Sequence, residues 1–256
     1  MADLVAFMKA QKAKIRAELA SSSSPVAPTA SEEKEEAPDF DLDVKLSMSH
    51  IEESEMQYFK EVITEQEEQS LIEAVERQAL NKQTRWVDLT DRKSMMCGSH
   101  HDSRERRIME LPKWLKSLAG QLECFDTTKP VNHVLINKYD ESGGIAHHTD
   151  GAAYLDQVAI LSLGGPVLLS FKERLKTEEI GERQAATVHS VVMQPRSLLV
   201  FSGSVYSELL HGVEASSIDV IDHTTINKSS EEEGMRMGDV VHRKPRVSLT
   251  MRHFYE

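Results

Sequence analysis

The sequence predicts a mainly β fold with supporting helices, an α+β arrangement whose core is two packed sheets. Three observations carry this. After Lys129 the chain breaks into short segments, at 131–139, 157–163, 166–171, 186–193, 197–202, 206–211 and 246–254, several of which alternate apolar and polar residues. Gly or Pro stands between many of them. Before Lys129 only a few stretches carry helical spacing. Many short strands with turns between them point to a sandwich or a double-sheet barrel such as a jelly roll.

Taken in order, residues 3–19 predict a helix with Leu4, Met8, Ile15 and Leu19 on one face, either a solvated helix or one that docks a protein partner. Residues 20–44 read as a linker, rich in Ser and Pro. Seven acids and one Lys lie between Glu32 and Asp43, too polar a stretch to bury enough apolar area to order itself. The chain therefore divides into an N-terminal helix with an acidic linker, 1–44, and a folded domain, 45–256. Met56–Ile63 reads as a strand. Thr64 followed by Glu67 forms a capping-box signature for a helix that ends near Leu80, with Leu71, Ile72, Val75 and Ala79 at helical spacing. Residues 112–122 predict a second helix with Pro112 in its first turn. The polar stretch 214–240 predicts a long surface loop.

The 256 residues carry 30 Lys and Arg against 42 Asp and Glu, a net charge of −12. A general polyanion binder is excluded, and any nucleic-acid contact needs a local basic patch. Two cysteines, Cys97 and Cys124, make neither a disulfide framework nor a four-Cys zinc site and point to a reducing compartment. No apolar run reaches the ~18 residues of a membrane span, and no signal peptide is evident. A soluble, intracellular monomer is the expectation.

The most informative segment is HVLINKYDESGGIAHHTDG, residues 133–151. Positions two apart on a strand share a face, so His148 and Asp150 can converge on one point. One further imidazole would complete a two-His, one-carboxylate set that leaves coordination positions open, an arrangement suited to non-haem Fe(II). His147 has the wrong parity to join Asp150. A rival pair, His100 and Asp102, sits in the polar GSHHDSRERR and reads as a loop. Candidates for the third ligand are His189, His211, His223, His242 and His253, with parity only weakly favouring His211. In RVSLTMRHF, Arg246, Ser248, Thr250 and Arg252 share one strand face. Two buried Arg would be costly unless each met an anion, and a dicarboxylate would satisfy both. Six residues of strand span about 20 Å, so both reach one small molecule only if they lean together or the strand bends. Asn137 and Tyr139 also share a face and can donate to a carboxylate.

The ordered set of N-K-Y at 137–139, H-T-D at 148–150, His211 and R-x5-R from Arg246 to Arg252 resembles the AlkB family of Fe(II)- and 2-oxoglutarate-dependent dioxygenases. The stretches RWVDLTDRK, LPKWLK, SLGG, PRSLLVFSG and LLHGV are similar to its sixth eukaryotic homologue subfamily. The likeness spans about 56–254. It implies a double-stranded β-helix, Fe(II) held by His148, Asp150 and His211, and a 2-oxoglutarate co-substrate. Arg246, helped by Tyr139, would clamp the distal carboxylate. Asn137 and Arg252 would hold the carboxylate nearer the iron. Reaction with O2 would give succinate and carbon dioxide while a C–H bond is hydroxylated, commonly on a nucleobase N-methyl group that then sheds formaldehyde. The resemblance allows nucleus and cytoplasm alike as the place where the protein acts.

Two departures stand out. Ser248, among the co-substrate contacts, occupies a position where several members carry Asn. Gly151 and Ala152 follow Asp150, where some base-repairing members carry an acid. For a DNA or RNA substrate, residues 85–116 would serve as a lid. They hold eight Lys or Arg and five acids, with Arg104, Arg106 and Arg107 as phosphate contacts. Trp86 and Trp114 read as core anchors ahead of base-stacking platforms. Oxygenase chemistry on a protein side chain, and a low-activity binding protein of the same fold, remain the alternative readings.

Overall fold

In the computed structural model the described residues are Leu42, Val44, Met48–Ser49, 55–101, 105–181, 183–228 and 235–255. The helix expected at 3–19, most of the linker, Asp102 and Arg104 lie outside them. The elements are β1 (Met48–Ser49), β2 (Met56–Phe59), α1 (Glu65–Gln78), β3 (Val87–Asp88), β4 (Lys93–Gly98), β5 (His100–His101), β6 (Arg106–Arg107) and α2 (Lys113–Gln121). They continue with β7 (His133–Tyr139), β8 (Ile145–His148), β9 (Gln157–Gly164), β10 (Val167–Glu173), β11 (Thr187–Met193) and β12 (Ser197–Ser202). Then follow α3 (Gly203–Ser207), β13 (Leu209–Val213), β14 (Ile218–Val220), β15 (Val240–His242) and β16 (Arg246–Arg252). The segment Leu175–Ala185 belongs to a compact unit separate from these elements. Its 3-10 turn, Thr177–Glu179, is held by an Arg183–Glu179 ion pair at 2.9 Å.

Two antiparallel sheets form the body. The larger runs β1-β2-β12-β9-β16-β7-β4-β3, and the smaller β11-β10-β13-β8. Strand parity divides the core in two. On one face of the large sheet Ile136, Leu161, Leu249 and Met251 pack with Leu71 and Val75 of α1 and Leu115 and Leu118 of α2. On the other face Val158, Ile160, Leu199 and Phe201 meet Val167, Leu169, Phe171 and Val191 of the small sheet. Each fully buried Leu, Ile or Phe contributes on the order of 1.5–3 kcal/mol. This two-sheet arrangement is the jelly roll expected from the strand pattern.

Helix α1 begins as its capping box requires: Glu67 N donates to Thr64 Oγ1 at 3.3 Å, and Thr64 N donates to Glu67 Oε2 at 2.6 Å. Trp114 is a core anchor, donating its indole N–H to Gln78 Oε1 at 3.0 Å. Pro112 caps α2 and does not enter its first turn. The predicted strand at 206–211 is divided between α3 and β13, because the turn at Gly203, φ +59, redirects the chain. The stretch 214–240 is not simply a surface loop. It contains β14 and starts β15, and it buries Asp219, Ile221 and Thr225. Its polar side chains substitute for a neighbouring strand: the Asn227 amide accepts from Val192 N and donates to Val192 O, both at 2.9 Å. Counted as residues they look solvated; paired with backbone they are not. The short strands β3 to β6 and β8 were missed by the sequence pattern.

Candidate metal and co-substrate centre

β8 and β13 are antiparallel neighbours, and His148 sits directly opposite His211. Their rings are 4.5 Å apart, centre to centre. The approach depends on Gly212, since a Cβ there would lie 2.8 Å from His147 N and 2.9 Å from its Cα. Parity then separates the adjacent imidazoles. His147 turns the other way, with Nε2 2.8 Å from Ser170 Oγ. Asp150 follows β8 in a loop held by Tyr206, whose hydroxyl donates to Gly151 O at 2.8 Å, and by Leu155 N, which donates to His253 O.

One ligand atom from each of His148, Asp150 and His211 can be chosen so that all lie within 4.8 Å of one another. Nε2 of each imidazole is 3.9 Å from an Asp150 oxygen. That spacing is too long for a hydrogen bond and suits donors that share one cation. His148 Nδ1 lies 2.9 Å from the Ala146 carbonyl, which can only accept, so the proton sits on Nδ1 and the Nε2 lone pair is available. Burial pushes His211 down to about 3 and lowers His148 as well, keeping both rings in the neutral, ligating form. Burial alone would raise the Asp150 carboxyl, but the Arg252 guanidinium beside it works the other way, and the carboxyl lies below its usual value. Arg252 Nη2 donates to Asp150 Oδ1, which leaves the buried Oδ2 without a hydrogen-bond partner. An orphaned carboxylate oxygen 3.9 Å from His211 Nε2, in a cluster that also holds the His148 lone pair, is what a bound divalent cation would satisfy.

The second cluster lies along β16. Arg246 pairs in register with Tyr139 of β7 and Gly164 of β9, and Ser248 with Asn137 and Ser162. Arg246 Nε donates to Ser162 Oγ at 2.9 Å, and its guanidinium lies 5.5 Å from the Tyr139 ring centre. Burial works against the Arg246 charge, Tyr139 partly offsets this, and among the described residues no carboxylate pairs with it. A buried cation without an anion is costly, and the distal carboxylate of 2-oxoglutarate has the charge and shape to pair with it.

The structure therefore brings together His148, Asp150 and His211, and separately Asn137, Tyr139, Arg246 and Ser248. Arg252, at the far end of β16, gives Nη2 to Asp150 and lies 5.2 Å from the Tyr154 ring centre, with its Nε unpartnered. Arg106 and Arg107 are exposed on β6, in a hairpin with His100 and His101. The rival His100 belongs to β5. Sequence reasoning passed over Tyr206, Ser162 and the buried Arg243–Asp219 pair, whose contact is 2.5 Å. Only Ser162 had a signal, since it shares strand parity with Gly164 in the SLGG stretch.

A family model described as the 2OG-Fe(II) oxygenase superfamily matches residues 45–252. The chain is 31% identical over 201 residues to the probable RNA/DNA demethylase ALKBH6 of Danio rerio, across 77% of this chain and 84% of that one. It is 23% identical over 190 residues to the alkylated DNA repair protein ALKBH8 homolog of Arabidopsis thaliana, across 66% and 53%. Among solved structures, OsALKBH1 shares the fold with a TM-score of 0.51 at 15% identity, covering 81% of this chain and 100% of that one. The chain therefore belongs to the 2OG-Fe(II) oxygenase superfamily and, within it, to the AlkB family. It is an Fe(II)- and 2-oxoglutarate-dependent dioxygenase that consumes O2.

Proposed function

We propose that the enzyme oxidatively demethylates alkylated bases in DNA or RNA, with iron held by His148, Asp150 and His211. Iron and 2-oxoglutarate together supply an oxidant that inserts one oxygen atom into a C–H bond. An N-methyl group, 2-oxoglutarate and O2 give N-hydroxymethyl, succinate and carbon dioxide. The hydroxymethyl group then leaves as formaldehyde, and the base nitrogen regains its proton. In this reading Arg246 and Tyr139 bind the distal co-substrate carboxylate, and Asn137, Ser248 and Arg252 line the end nearer the metal. Arg252 also donates to Asp150 Oδ1, and Oδ2, which has no partner, would be the oxygen free to hold the metal.

The observation that supports a nucleic-acid substrate is the placement of the β5–β6 hairpin. His100 lies 6.3 Å from His133, centre to centre, and His133 lies 5.2 Å from Tyr154, over which Arg252 packs. A row of rings thus connects Asp150 to a hairpin that exposes Arg106 and Arg107 to phosphates. The demethylase and repair names of the relatives agree with this reading. Residues 85–116 act as the substrate lid. The test is mass spectrometry of succinate and nucleosides across methylated DNA and RNA probes, with His148→Ala as the inactive control. Loss of methyl groups with matching succinate is expected. Succinate production stimulated by a protein and by no oligonucleotide would move the substrate to a side chain. Changing Arg104, Arg106 and Arg107 together to Ala should weaken binding and flatten its salt dependence. Unchanged binding would remove the hairpin from the interface.

A further inference from the structure

The β3–β4 turn closes on itself, with Leu89 N donating to the Arg92 carbonyl at 2.8 Å. It delivers the half-buried Arg92 to the rim of the co-substrate cluster. Three acids, Asp88, Asp91 and Asp140, line the same surface cavity of about 290 Å³. Among the described residues Arg92 forms an ion pair with none of them, and its Nε donates to Asn137 Oδ1 at 3.2 Å. A guanidinium carries only donors, so it can face only the oxygen of an amide. This single contact decides which way the Asn137 amide lies. The NH2 is turned away from Arg92, and among the described residues nothing accepts from it, although Asn137 is 97% buried, its exposure being 3%. An amide donor that no protein group engages, on the wall of the co-substrate cluster, is open to a ligand.

We propose that Arg92 is a positioning residue for 2-oxoglutarate: it locks Asn137 with Nδ2 directed at the co-substrate carboxylate nearer the iron. This rests on the reading of Asn137 as a co-substrate contact. Without Arg92 the amide is free to flip, and its oxygen would then repel that carboxylate.

The test is calorimetric titration of 2-oxoglutarate into the anaerobic, Mn(II)-loaded protein. The variants are Arg92→Ala, Asn137→Ala and the double variant, with Mn(II) affinity and melting temperature as controls. Arg92→Ala should weaken 2-oxoglutarate binding roughly tenfold, the scale of one charge-assisted hydrogen bond, and leave both controls unchanged. In the double variant the affinity should match that of Asn137→Ala alone. Arg92→Ala within twofold of the parent, while Asn137→Ala weakens binding, would overturn the inference and leave the co-substrate reading standing. Additive losses would overturn it too, because Arg92 would then act on its own. If Asn137→Ala leaves affinity intact, the co-substrate role of Asn137 fails, and the inference goes with it.

Discussion

Replacing Asp150 with Asn tests two roles of one side chain separately. In the metal-free protein the Asp150 carboxylate is the anion that Arg252 faces, with both side chains more than nine-tenths buried. Removing one charge of a buried pair leaves the other unpaired, at a cost of about 3 kcal/mol, toward the low end because Asn keeps one acceptor oxygen. For a domain of this size 1 kcal/mol moves the melting temperature by roughly 2–4 °C, so a fall of about 6–12 °C is expected. The assay is a thermal melt with chelator and again with excess Mn(II). The parent should gain stability from the metal, as any ligand of the native state confers, and Asp150→Asn should gain little. The double variant Asp150→Asn/Arg252→Met removes both charges. It should recover most of the metal-free melting temperature and none of the metal response. A metal-free melt of Asp150→Asn within 1 °C of the parent would refute the claim that this ion pair is buried and mutually dependent.

Gly212→Ala places a Cβ against the backbone of His147 and must separate β8 from β13. A loss of about 1–3 kcal/mol from overpacking is expected, together with at least tenfold weaker Mn(II) binding; unchanged metal affinity would show that the pair of imidazoles tolerates the shift. His133 is buried, and its pKa is pushed down to about 3, chiefly by burial and then by Arg252. The unfolded chain binds that proton near pH 6.5 and the folded protein only near 3. Stability contributed by His133 is therefore complete above pH 6.5 and is lost as pH falls toward 3. Urea midpoints at pH 7.5 and pH 5 should differ less for His133→Asn than for the parent, and an unchanged difference would contradict the burial.

How much was legible in the sequence depended on how local the cause was. The Thr64–Glu67 cap needs only four residues, and it formed as expected. Strands 157–164 and 197–202 announced themselves because both their faces are largely buried and apolar, and 187–193 because its second half, Val191 to Met193, is. The short strands β3 to β6 and β8 are polar pieces held by their neighbours, so no periodicity marked them. Parity set Arg246 and Arg252 on one face of β16, but Asp150, expected to share a strand face with His148, reaches it from the loop after β8.

Composition, strand spacing and parity by themselves determined a two-sheet fold and which side chains in each segment could share a face, because those depend on a backbone repeat of two residues. Only the tertiary structure decided that His211 stands opposite His148, since that needs β13 and β8, more than sixty residues apart, to pair in one register. It alone decided that Arg252 spends a hydrogen bond on Asp150 and that Arg92 turns the Asn137 amide. Each of those choices is made by competition among partners brought together from different strands and turns, and no single segment contains the competitors.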